Sequence, residues 1–156
     1  ASAEPYEYKN FPEWGKDVAY QLVYDAGVRF YSQPLGIRSA DLETLRPCLT
    51  EFVPMVQQST VDYLAEPARA NGMIVDMLDQ LDEVVYSAGE AEYAVGVMKE
   101  LGLISNGPNA TLGDFDLERV QEGIDQMIDA GISNVPTGLT AEQIATNEFI
   151  DPSIGL

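Results

Sequence analysis

The stretch VAYQLVY, residues 18–24, decides how the fold is read. Val18, Tyr20, Leu22 and Tyr24 fall on one side of an extended chain, and Ala19, Gln21 and Val23 on the other. A period of two belongs to a strand rather than a helix, so this segment predicts a strand with one strongly apolar face. Asp25-Ala26-Gly27 follows as a turn signal. Residues 28–31 and 35–38 read as a second extended stretch, interrupted at Pro34. Residues 1–6 offer a third, with Pro5 confining it to a sheet edge or a strand end.

Beyond residue 38 the period changes. Ser39 is a plausible N-cap for a helix over 40–45, and Pro47 suits the first turn of a continuing helix. Leu49, Phe52, Val53, Val56, Val61 and Leu64 then recur near the 3.6-residue period. Pro54 lies inside that pattern and predicts a kink or a break. Pro67 opens another helix. Ser87 and Glu90 have capping-box spacing ahead of Tyr93, Ala94, Val97, Met98 and Leu101, with a stop near Gly102. Asp116 caps a helix closed by Gly131, and Thr140 with Gln143 opens a short one. The tail after Asn147 reads as irregular. No fixed-period repeat is present. The expected fold class is α/β, with few strands covered by several helices. So small a sheet would leave exposed edges, so its completion by a lost half or a second copy of the chain is expected.

Composition narrows the function classes. The chain has 156 residues, about one domain's worth, with 46% hydrophobic content. It carries 26 acids against 8 bases, a net charge of −18. Such a surface repels phosphate backbones and anionic lipid, so nucleic acid is not an expected partner. It suits a salt-rich habitat and an acidic extracellular protein equally. There is no histidine, which removes the commonest general base and the usual zinc ligand. No catalytic residue and no metal site is expected. Asp114 and Asp116 lack the remaining ligands of a calcium loop, and helix capping accounts for them better. Cys48 lies in an apolar helical pattern and reads as a small buried hydrophobe. Met73, Met77, Met98 and Met127 read as core, and Trp14, in FPEWGK, as a packed loop residue.

Six segments in order carry a resemblance to a known family: SAEPYEY (2–8), GKDVAYQLVYDAGVRFYSQPLGIR (15–38), RPCLTEFVPMVQQSTVDYLAEPA (46–68), GLISNG (102–107), LGDFDLERVQEGID (112–125) and GLTAEQIATNEFID (138–151). The chain resembles the C-terminal half of periplasmic solute-binding proteins of ABC importers, in the group similar to thiamine-pyrimidine synthases. The resemblance implies two α/β lobes closing on a solute, of which this chain is an incomplete part. Residues 1–16 would be strand and loop from the hinge and second lobe, and 17–156 the C-terminal part of the first lobe. It further implies a small planar or anionic solute, delivery to an ABC permease, no cofactor, and a periplasmic or extracellular location, with a lipid anchor on the precursor as a variant.

The binding candidates are Ser2, Glu4, Tyr6, Tyr24 and Asp25. Flat aromatics stack on a planar ligand, carboxylates accept from ring amines, and the Ser2 hydroxyl adds a further polar contact. Eight of the 14 aromatic residues fall in the first 31 positions, which draws the site to this end. The same tyrosines could equally pack a sheet face, with the acids solvated at turns. Two alternatives stand beside solute capture. One is a pyrimidine-synthase-like enzyme, which needs a histidine and a lysine-bound pyridoxal cofactor that this chain has no motif to supply. The other is a helical interaction domain without a ligand.

Overall fold

A computed structural model describes residues 3–81 and 86–156. These residues form helices, turns and irregular segments, and no strand occurs among them. The helices are α1 (Glu4–Asn10), α2 (Leu42–Ala65), α3 (Ala68–Leu81), α4 (Ala88–Glu100), α5 (Leu117–Asp129) and α6 (Ala141–Ile144), with a 3-10 turn at Ser39–Asp41. The α/β expectation is therefore overturned, and with it the idea of an incomplete sheet awaiting a partner.

The physical reason lies in what a period-two pattern specifies. Alternation chooses a face, but a strand also needs a neighbour for its backbone groups. Residues 18–24 have none among the described residues. Around the following turn the backbone bonds are local: Asp25 and Ala26 donate to the Leu22 carbonyl, and Val28 to that of Val23. Gly27, at φ 96°, supplies the left-handed step that this turn requires. The strand expected over residues 1–6, of which 1 and 2 lie outside the described residues, is replaced from Glu4 onward by α1, whose first turn Pro5 occupies and where its missing N–H costs nothing.

The helix signals read more truly. Ser87 and Glu90 form the capping box of α4, Asp116 accepts from the N–H groups of Glu118 and Arg119 to cap α5, and Thr140 with Gln143 forms the box of α6. Gly131 follows α5 at φ 71°. Pro54 neither breaks nor ends α2, which runs through both Pro47 and Pro54.

The chain divides into two compact units. Unit 1 comprises residues 1–20 and 58–105, and unit 2 residues 21–57 and 106–156. In unit 1, Leu64 and the α4 residues Ala91, Ala94, Val95 and Val97 are buried. In unit 2 the buried apolar residues are Leu49, Leu112, Ile124 and Ala141, joined by the polar Gln57 and Thr111. Both cores are small. The exposed surface totals 11182 Å², against roughly 9,300 Å² for two free-standing globules of half the mass each. Several expected core residues lie outside: Met73 and Met77 are 62% and 54% exposed, Trp14 is 53% exposed, and Cys48 is exposed.

Candidate functional site

Unit 1 contains a groove of about 510 Å³, within the size range of small-molecule sites. One wall is α1. Helical spacing sets Tyr6 and Lys9 three residues apart, so both reach the same side, and Pro5 and Asn10 complete that wall. Tyr93 of α4 supplies the floor, its ring centroid 5.5 Å from that of Tyr6 at an interplanar angle of 42°. Asp17, Val18 and Tyr20 supply the opposite rim. Val18 and Tyr20 thus both line the groove, although no strand occurs among the described residues.

The groove offers aromatic surface and two opposite charges. Lys9 and Asp17 form an ion pair of 3.0 Å whose side chains are 60% and 83% exposed. The Asp17 carboxylate, through its hydrogen bond and its charge, raises the Lys9 amine above its ordinary value. So open a pair is screened and adds little stability. Its members are therefore exchangeable: a ligand anion can take Lys9, and a ligand amine can take Asp17. Asn10 is already engaged, donating from Nδ2 to the Tyr6 carbonyl at 2.8 Å.

The seating of α1 on α4 builds this groove. Tyr6 lies over Gly89, where any Cβ would collide with the tyrosine hydroxyl. Glu90 is buried, 6% exposed, and is also the capping-box residue of α4, accepting from Ser87 N at 3.5 Å. Burial first, then the Glu7 carboxyl, pushes Glu90 above the usual carboxylate range.

Of the residues expected to bind a ligand, Glu4 and Tyr6 share α1, and Tyr6 lines the groove. Tyr24 and Asp25 belong to the 22–28 turn of unit 2, so the four do not form one set within either unit. The Tyr24 ring is taken by the guanidinium groups of Arg29 and Arg119, 5.2 and 5.3 Å from its centroid. Arg119 also sits 4.2 Å from the Tyr31 ring and donates to the carbonyls of Arg29 and Phe30, which fastens this loop to α5. Asp25 is exposed in the turn. Ser2 lies outside the described residues. Sequence reasoning missed Tyr93, Lys9 and Asp17. Tyr93 carried a helical signal only, and nothing local ties it to a residue 87 positions earlier.

No protein-family profile, curated protein or solved structure matches the chain.

Proposed function

We propose that the chain is a non-catalytic binding protein that captures a small planar solute in the tyrosine-walled groove of unit 1. The observation that carries this reading is the convergence of Tyr6, Tyr20 and Tyr93 on one groove with an exchangeable Lys9–Asp17 pair at its rim. Aromatic faces supply stacking area, and the two charges orient polar substituents on the solute's edge. Capture changes no covalent bond. The resemblance to importer binding proteins is the reason to seek the solute among thiamine pyrimidines, flavins, sulfonates and nitrate, and to place a permease downstream. A two-lobed α/β closure forms no part of the proposal.

A thermal-shift panel tests it. Planar heteroaromatic solutes raise the melting temperature, in proportion to about 2.7 kcal/mol at a hundredfold excess over Kd. Tyr93→Ala removes the response. A panel in which no planar solute shifts the transition contradicts the proposal. A second reading, an interaction domain without a ligand, draws on α3, whose Met73, Met77 and Leu81 are all more than half exposed. It predicts an unchanged transition with every solute.

A further inference from the structure

We propose that the solute taken by the groove of unit 1 is an aromatic α-amino acid: its ammonium pairs with Asp17, its carboxylate pairs with Lys9, and its ring lies against the tyrosines. The inference rests on reading that groove as the binding site, and it names the class of solute.

Charge balance narrows the choice first. Lys9 and Asp17 satisfy each other at 3.0 Å on the groove's lining. A solute with a single charge can take only one of them and leaves the other without its partner. A solute with both charges exchanges one ion pair for two, and neither residue loses. The exchange is open because the side chains are 60% and 83% exposed, so the pair they give up is worth little. The whole chain carries a net charge of −18. Such a field repels a free anion, whereas a zwitterion offers it no net charge to act on.

Spacing narrows it further. Lys9 Nζ and Asp17 Oδ1 stand 3.0 Å apart, so one solute reaches both only if its own charges are neighbours. An α-amino acid carries its ammonium and carboxylate on one carbon, with nitrogen and oxygen roughly 3 Å apart. The four groups then close a ring of alternating charge.

The tyrosines set the remaining requirement. Tyr6 and Lys9 are three residues apart on α1, which places their Cβ atoms about 5–6 Å from each other. A single methylene joins the ring of an aromatic amino acid to its charged carbon. That short tether keeps the ring beside the tyrosines while the charges are engaged. Tyr6 and Tyr93, with ring centroids 5.5 Å apart, form one aromatic wall. Tyr20, on the opposite rim, is 55% exposed and has aromatic surface still to bury. An aliphatic amino acid would keep the charge contacts and forgo the stacking.

Calorimetric titration of the full chain with L-phenylalanine and four analogues tests the assignment. Phenethylamine lacks the carboxylate, phenylpropanoate lacks the ammonium, L-alanine lacks the ring, and para-aminomethylbenzoate holds its two charges at opposite ends of the ring. Phenylalanine is expected to bind more tightly than each of them, by at least about fivefold. Lys9→Gln should erase its preference over phenethylamine, and Asp17→Asn its preference over phenylpropanoate. Each substitution removes the partner of the group that the analogue lacks, and a purely structural ion pair would not produce that crossover. Indole, planar and uncharged, reports on the groove itself. If indole or a singly charged analogue binds as tightly as phenylalanine, or the preferences survive both substitutions, the amino-acid assignment is overturned and the groove reading stands. If none of the solutes binds, both are overturned.

Discussion

Unit 1 and unit 2 solve the same problem by different means. Unit 1 is held by helix packing: α4 buries four small aliphatic residues, and α1 is seated through the Tyr6–Tyr93 contact. Unit 2 contains long irregular segments and fastens them with side-chain amides that imitate a peptide partner. Gln57 donates to the carbonyls of Leu112 and Asp151 and accepts from Asp151 N. Asn106 pairs with both backbone groups of Leu156, and Asn147 with both of Phe115. Gln121 accepts from Ala141 N, where α6 begins. Each such amide presents both N–H donors and a C=O acceptor, as a peptide group does, so it stands in for the ladder that a sheet would have provided. The tail after residue 147 is irregular in conformation yet pinned at Asp151, Pro152, Ile154 and Leu156. The comparison teaches that a unit with no strand among its described residues can still satisfy irregular backbone, provided that its amides are placed where the tail returns.

The comparison can be broken from either side. The largest effect is expected at Ile124, 1% exposed in unit 2, where Ile124→Ala should cost about 3 kcal/mol in chemical denaturation. Next is Gln57→Leu, which strands the Leu112 and Asp151 carbonyls and the Asp151 amide. A loss of about 2 kcal/mol is expected, with faster exchange throughout the tail. If Gln57→Leu is neutral, the amides are ornaments on a unit stabilised otherwise. In unit 1, Ser87→Ala removes the α4 cap, at about 1 kcal/mol by the same assay.

The pH dependences should run in opposite directions. Glu90 is raised above its ordinary 4.5, so the folded unit 1 holds its proton more tightly than the unfolded chain. Its contribution is fully present below 4.5 and is lost as pH rises through the folded value. Asp151 in unit 2 is lowered below its ordinary 3.8, chiefly by the Ser153 hydroxyl and then by the Ser153 amide. Its contribution is present above 3.8 and is lost as pH falls through the folded value. On lowering the pH through the acid range, hydrogen exchange should show the tail loosening while the start of α4 tightens. The smallest effect on stability is expected for Gly89→Ala, under about 1 kcal/mol in a helix that gains propensity, yet it should displace Tyr6 and weaken solute binding severalfold.

What the sequence showed and what it hid follow from range. Helix starts at Ser87, Asp116 and Thr140 were legible because a cap and its partner lie within three residues. The alternation of Val18 and Tyr20 was legible because it is local, but the absence of a pairing partner was not, and the strand drawn from it was an error. Tyr6 was found as a site candidate, whereas Tyr24 carried the same composition signal and turned out to be covered by Arg29 and Arg119. Tyr6–Tyr93 and Gln57–Asp151 span 87 and 94 positions. No spacing rule reaches that far.

The account's central claim is that unit 1 alone carries the binding site. Chemical-shift mapping of the labelled chain with a planar heteroaromatic solute, under mildly acidic conditions, tests it most directly. The account predicts saturable shifts concentrated at Tyr6, Lys9, Asp17, Tyr20 and Tyr93, with Tyr24 and Asp25 silent. Shifts centred on the Tyr24–Asp25 turn, or none at saturating solute, would contradict it.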